Sequence, residues 1–228
     1  MSASAGDSLQ KQNIEDLAKA LDTPWVTYRM GAFADLAVDM YICEGAMAMH
    51  RHLHEDELFL VYDGSIVLGT ERGDLTLRTE ELMIVPKGTA HSSSAFFPAT
   101  VVLLRPAGDA LRKNGQWRLF AVEKDPPLEK VNLGALYSGL DAPFQPVQAT
   151  RFAGWGLWVM RCAGVGPTQT APESGTPLLI LRGVALLLTE AKQAMPLRRG
   201  DLLAIPPGVR YHLETDAAAM AVWLAPIP

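Results

Sequence analysis

Cysteine is nearly missing from this chain: Cys43 and Cys162 are the only two among 228 residues. That usage excludes a disulfide framework and fits a reducing cytoplasm. Cationic side chains are outnumbered, 20 Lys and Arg against 25 Asp and Glu, and they form no cluster. Without a basic stripe there is no electrostatic footprint for nucleic acid or an anionic membrane surface. Long apolar runs are lacking as well. The stretch 177–188 is too short to span a bilayer and is broken by Arg182 and Gly183. Residues 1–13 are polar, without the charged start and apolar core of a secretory signal. Histidine is scarce, with five in the chain, so their placement carries information.

What is present has the balance of a globular protein, 49% hydrophobic and 20% charged. The length allows one large domain or two small ones, either able to bury a core. Residues 13–21 have helical spacing, with Asn13 as N-cap and Ile14, Leu17, Ala18 and Leu21 on one face. Pro24 helps to end that helix. Beyond it come short strand-like runs at 25–30, 35–43, 47–52, 57–63, 65–70, 75–78, 82–85, 90–95 and 100–105. Turn residues divide them, among them Asp63-Gly64, Arg72-Gly73-Asp74 and Pro86-Lys87-Gly88. Spacing this tight predicts an all-β sandwich or barrel.

The chain also repeats itself. A shift of 119 places Asn13 on Asn132, Leu17 on Leu136, Pro24 on Pro143, Cys43 on Cys162, Gly45 on Gly164 and Gly64 on Gly183. One residue is then gained, and a shift of 120 places Leu77-Arg78 on Leu197-Arg198, Pro86 on Pro206 and Gly88 on Gly208. The chain reads as a duplicated β domain with units near 13–106 and 132–226. Residues 107–131 form a charged connector in which 117–122 has the pattern of an edge strand. The two cysteines hold equivalent strand positions and read as small core residues, not a redox pair.

Four of the five histidines fall in the first unit, three of them in His50-Arg51-His52-Leu53-His54-Glu55-Asp56-Glu57. Side chains two apart in a strand share a face, so His50 and His52 can aim two imidazoles at one point. Imidazole with carboxylate suits Zn, Fe, Mn, Ni or Cu. His54 shares this parity but lies in the turn before Glu57, and reads as exposed or as an outer contact, with a place among the metal ligands as the alternative. Glu55 and Asp56 read as solvated turn charges, with an acid–base role as the alternative.

This pattern resembles the cupin superfamily, and the duplication resembles a bicupin. The first cupin motif is matched by Gly45, His50, His52, Glu57 and Gly64, with the spacer after Gly45 one residue short. The second is matched by Pro86, Gly88 and His91, with Glu80 in place of a glycine and Ala95 in place of an asparagine. The resemblance implies two tandem all-β cupin barrels of the double-stranded β-helix or jelly-roll type, each preceded by a short helix. The expected divisions are 1–106, a metal-binding barrel; 107–131, the connector; and 132–228, a degenerate barrel.

It also implies one divalent transition metal (Fe, Mn, Zn or Ni) held by His50, His52, Glu57 and His91. The residues agree: His50 and His52 share parity, Glu57 opens the next strand, and His91 follows a Pro-x-Gly turn on a distant one. Three imidazoles and a carboxylate leave positions open on an octahedral ion, as a catalytic centre requires.

In the second unit the same offsets put Gln169, Ala171, Thr176 and Tyr211 at the ligand positions, with His212 on the opposite strand face. That unit is expected to bind no metal and to serve as a structural half or interface. A metal-free pocket at Gln169, Thr176 and Tyr211 is the alternative.

The expected function is a metal-dependent enzyme, dioxygenase-like, acting on a small organic acid or an enediol-type substrate. A cupin isomerase or decarboxylase and a non-enzymatic metal- or ligand-binding bicupin are the alternatives. The expected partners are a small molecule and a second copy in a homodimer. Nucleic acid and membrane are not among them.

Overall fold

A computed structural model describes residues 9–107, 114–115 and 128–227 of the chain. Its architecture is all-β, as the turn spacing predicts, and two short helices, Ile14–Ala20 and Leu133–Ser138, interrupt the strands. No helix among the described residues is long and apolar enough to cross a membrane. The chain divides into two units: one spans Ala18–Asn132, and the other joins Met1–Leu17 to Leu133–Pro228.

The first unit is a curled antiparallel sheet of the cupin-barrel type. Its main path runs Lys130–Asn132, Glu81–Val85, Glu57–Asp63, His91–Pro106, Leu36–Ala46 and Tyr28–Phe33. The hairpin of Ser65–Thr70 and Gly73–Arg78 pairs onto His91–Pro106 as well. The predicted runs 90–95 and 100–105 are therefore one long strand. Its first part faces Ser65–Thr70, its second part faces Glu57–Asp63, and Leu36–Ala46 pairs with both. Register shifts between Cys43 and Gly45 and between Val61 and Asp63 mark bulges, which bend paired strands. The predicted run 47–52 survives only as Arg51–His52 plus an isolated bridge from His50 to His91. Period-two alternation sends Tyr41, Cys43, Phe59, Val61, Val101 and Leu103 into one buried cluster. Both cysteines are free and fully buried, and burial pushes each thiol up to about 12.

The second unit repeats this plan along Gln10–Asn13, Asp201–Ile205, Thr176–Arg182, Arg210–Pro226, Trp155–Val165 and Val147–Phe152. The duplication seen in the sequence is thus a duplication of backbone. Trp25 and Phe144 both take left-handed φ values, 68° and 56°, and Ala34 and Ala153 do the same at 49° and 47°. Glu80, which stands where the cupin motif has glycine, keeps the glycine conformation at φ 67°; its counterpart Gly200 has φ 85°. An L side chain there carries a steric penalty of roughly 1–2 kcal/mol. The turn persists because the Glu80 amide donates to the Val61 carbonyl at 2.7 Å, as Gly200 does to Ile180 at 2.8 Å.

One arrangement departs from the simple division of the sequence. The strand at the start of each sequence repeat joins the sheet built from the other repeat, within one unit. Gln10–Asn13 pairs with Asp201–Ile205, and Lys130–Asn132 pairs with Glu81–Val85. Equivalent side chains lock both. Lys11 Nζ lies 3.0 Å from Asp201 and donates to the Pro196 carbonyl at 2.8 Å. Lys130 Nζ lies 2.8 Å from Glu81 and donates to the Thr76 carbonyl at 3.1 Å. Asn13 then serves twice: its Nδ2 donates to Asp201 at 2.8 Å, while its Oδ1 accepts the Glu15 and Asp16 amides as the helix N-cap. Trp117, Phe120 and the rest of the 117–122 pattern lie outside the described residues; Asn114–Gly115 pairs with Arg51–His52.

Candidate metal centre

His50, His52, Glu57 and His91 converge inside the first barrel, with one donor atom from each lying within 4.8 Å of all the others. The local sequence explains how each arrives. Mutual backbone hydrogen bonds of 2.9 and 2.8 Å clamp His50 to His91. The turn at Pro86-Lys87-Gly88 delivers His91, and it is tied down twice. The Gly88 amide donates to the His52 carbonyl at 2.7 Å, and the Lys87 amide donates to Asp56 Oδ1 at 2.8 Å. Asp56, read from sequence as a solvated turn charge, is therefore a turn cap. Glu57 opens the strand Glu57–Asp63, with its side chain turned inward.

Three of the four side chains are buried, with His52 5%, Glu57 2% and His91 2% exposed. Glu57 Oε2 lies 3.2 Å from His52 Nε2 and 3.1 Å from His91 Nε2. Burial alone would raise the Glu57 carboxyl; hydrogen bonds and positive charge from His52 and His91 outweigh it and hold the group below its ordinary range. His50 shifts downward, mainly through burial and then through its histidine neighbours, against the Ala48 carbonyl. A depressed His50 favours the neutral imidazole, the form that ligates metal. The Nδ1 atoms of His50 and His91 face the Ala48 and Thr89 carbonyls at 2.9 and 3.1 Å. Placing the protons on those Nδ1 atoms leaves both Nε2 lone pairs facing the centre, the usual second layer of a histidine metal site.

The donor set fits an ion. Two 2.1 Å bonds on opposite sides of one metal span about 4.2 Å, and neighbouring ligands sit about 3 Å apart. The 3.1 and 3.2 Å separations already match the second figure. The cluster as a whole lies within about half an ångström of the first. No other group of three or more such donors occurs among the described residues. His54 is exposed and outside the cluster. Glu55, the other neighbour, sits 3.6 Å from His52 Nδ1, beyond hydrogen-bond length but on the side from which it can orient that ring.

The centre opens onto a cavity of about 360 Å³ that reading the sequence missed. Trp25, Met47, Tyr41, Phe59 and Ser93 line it alongside His50, His52 and Glu57. A signal was available: Ser93 has the strand parity of His91, and Tyr41 that of Cys43. The Tyr41 hydroxyl lies 3.5 Å from Ser93 Oγ, and burial pushes the phenol well above its usual range.

The second barrel places Gln169 opposite Tyr211, the same pairing as His50 with His91. The Gly208 amide donates to the Ala171 carbonyl at 3.0 Å, as Gly88 does to His52. Ala171 and Tyr211 join the apolar core, and Thr176 is buried. His212 faces the other way, 3.1 Å from Glu214.

No protein-family model matches the sequence. Over 86 residues the chain is 23% identical to the uncharacterized protein YdbB of Bacillus subtilis, covering 37% of this chain and 76% of that protein. A cupin 2 conserved barrel domain protein from Leptotrichia buccalis superposes with a TM-score of 0.73 at 9% identity, covering 96% of each chain. A salicylate 1,2-dioxygenase from Pseudaminobacter salicylatoxidans superposes with a TM-score of 0.76 at 9% identity, covering 97% of this chain and 84% of that one. A variant of that dioxygenase in complex with gentisate gives 0.71 at 11% identity, covering 97% and 82%. At these identities the likeness establishes the fold.

Proposed function

We propose that the first barrel holds one divalent transition-metal ion through His50, His52, Glu57 and His91, that the second holds none, and that the protein is a metal-dependent, dioxygenase-like enzyme acting on a small organic substrate. The convergence of three imidazoles and one carboxylate beside a cavity carries this reading. The bound ion would supply Lewis acidity, and redox chemistry if it is iron. The chain's own part is to orient and exclude. Ala48 and Thr89 carbonyls fix two imidazoles, Glu57 brings the negative charge that offsets an ion, and Phe59 and Leu103 keep the inner wall of the cavity apolar. The salicylate dioxygenase that shares the fold gives the oxidative reading its precedent. A cytoplasmic homodimer completes the reading; it rests on the cysteine usage and the cupin resemblance.

Elemental analysis of protein purified without a metal-affinity resin tests it. About one ion per chain is expected from the single donor set. Two equivalents, or none after supplementation with metal, would overturn the one-centre reading.

A further inference from the structure

The three imidazoles of the cluster are not held alike. His50 Nδ1 faces the carbonyl of Ala48 at 2.9 Å, and His91 Nδ1 faces that of Thr89 at 3.1 Å, in each case two residues back along the chain. The carbonyl two residues before His52 belongs to His50 and already accepts the His91 amide at 2.8 Å. His52 Nδ1 is buried and has no hydrogen-bond partner among the described residues. Glu55 Oε1 stands 3.6 Å from it, on a side chain only 12% exposed. At the other end of the ring, Nε2 lies 3.2 Å from Glu57 Oε2. His52 therefore lies between two carboxylates, one at each ring nitrogen. The backbone around Glu55 is anchored on both sides. The His52 carbonyl accepts the Gly88 amide at 2.7 Å, and Asp56 accepts the Lys87 amide at 2.8 Å.

A neutral imidazole has one proton to place. When Nε2 gives its lone pair to an ion, that proton is on Nδ1, and a buried N–H without an acceptor is destabilising. Bringing the 3.6 Å separation to the length of a charge-assisted bond, about 2.8 Å, takes a shift of less than about 1 Å. The second barrel shows that Glu55 goes with the ring it faces and not with the turn. The turn bond is kept there, from the Gly208 amide to the Ala171 carbonyl. Ala171 stands at the position of His52 and Ser174 at that of Glu55, and the Ser174 hydroxyl donates to the Gly175 carbonyl at 3.1 Å. A carboxylate does persist in this turn, as Glu173, but at the position of the exposed His54.

We propose that Glu55 is a positioning residue of this centre: it accepts the Nδ1 proton of His52 and so selects the tautomer that leaves Nε2 for the ion. The proposal rests on the metal reading given above. It assigns the two carboxylates different duties, Glu57 as a ligand and Glu55 as the partner of a ligand. It also separates His52 from His50 and His91, whose tautomers are set by backbone carbonyls that no substitution removes. The orientation of His52 alone depends on a side chain.

The test uses the full chain, labelled with ¹⁵N-histidine and loaded with one equivalent of Zn(II). Glu55→Ala is expected to weaken zinc roughly 10–100-fold in competition with a chelator, the range for losing an outer contact of a ligand. In NMR spectra of the zinc-loaded variant, the His52 Nδ1 proton should exchange rapidly with water while those of His50 and His91 behave as in wild type. Glu55→Gln keeps an acceptor without the charge, so it should retain the protected proton and weaken zinc only about fivefold. Zinc affinity within about twofold of wild type in both variants, well short of that range, would overturn the proposal and leave the centre standing. A loss in Glu55→Ala with the His52 proton as protected as in wild type would overturn it too, because a merely structural role weakens zinc without freeing that proton. Should Glu55→Ala fail to fold, Glu55→Gln decides alone, and unchanged affinity overturns the proposal. Failure of the wild type to take up zinc would overturn the metal reading itself and is seen first, in the metal content.

Discussion

The two barrels share a backbone and divide over what fills it. At the four inward positions that carry His50, His52, Glu57 and His91 in the first barrel, the second carries Gln169, Ala171, Thr176 and Tyr211. The bridge between the first and last of these positions is retained in both, and so is the glycine amide bond that anchors the turn. Backbone hydrogen bonds therefore build the pocket geometry, and side chains alone decide whether it is a polar centre or apolar core. A second contrast lies on three neighbouring strands, His91–Pro106, Leu36–Ala46 and Tyr28–Phe33. In the first barrel the buried Asp39 is paired by Arg105 at 2.8 Å and by Arg29. The equivalent residues of the second are Trp158, Ala225 and Gln148, with Gln148 directly across from Trp158. One barrel uses a buried ion network where the other uses an indole.

Substitutions can break this comparison at four places. The largest effect is expected at His91→Ala, which on the proposed reading removes one of four ligands and lowers metal affinity roughly 100-fold or more, since even outer contacts of such ligands are worth 10–100-fold. His54→Ala, on an exposed side chain, leaves metal content unchanged. Equal losses, measured by elemental analysis after dialysis, would mean that the ligand set is different. Next comes Asp39→Asn, which leaves two guanidinium groups facing a neutral amide. A loss of about 3 kcal/mol in urea unfolding is expected, in the range for breaking a buried pair. A change below about 1 kcal/mol would show that the network contributes no more than a surface pair.

A smaller effect is expected at Glu81→Gln, about 1.5 kcal/mol, because a charge-assisted bond to Lys130 becomes a neutral one. Burial would raise the Glu81 carboxyl, but Lys130 and the Arg78 amide outweigh it and hold the group below its ordinary value. A carboxyl depressed in the folded state stabilises above its unfolded pKa of about 4.3, and that contribution fades as the pH falls below it. The difference between wild type and variant should therefore shrink on acidification below about pH 4; a difference that grows would reverse the sign of the argument. Smallest is Gly200→Ala, which gives the second barrel the steric penalty that Glu80 already carries in the first. A loss of about 1 kcal/mol in urea unfolding is expected. No loss would show that this turn relaxes freely.

Much of this is legible in the sequence. Strand alternation and turn glycines carry the β class, because burial of one sheet face imposes a period of two. The repeat is legible because both barrels need the same turn conformations: Gly45 and Gly164 take φ 77° and 82°. The histidine convergence is legible for a similar reason, since a chelating set tolerates few side chains. The hydroxyl and aromatic lining is not. Tyr41 and Phe59 look like ordinary core residues in a run such as Glu57–Asp63, and only the position of the cavity separates lining from core. The exchanged strands escape notice because Gln10–Asn13 and Lys130–Asn132 are too short and polar to register as strands. Their partners lie far away in sequence, 188 residues apart for Asn13 and Asp201.

That exchange has a consequence for biosynthesis. The edge of Glu81–Val85 is open on a nascent chain until Lys130–Asn132 has left the ribosome, well after the rest of its sheet has been made. Gln10–Asn13 must wait for Asp201–Ile205, and Asn13 lies 188 residues from its partner Asp201. Closing such a loop is entropically expensive and slow, and an unpaired strand edge is a template for aggregation in the meantime. The first barrel is therefore incomplete when its own repeat has been translated, and the second closes only on a strand made long before it.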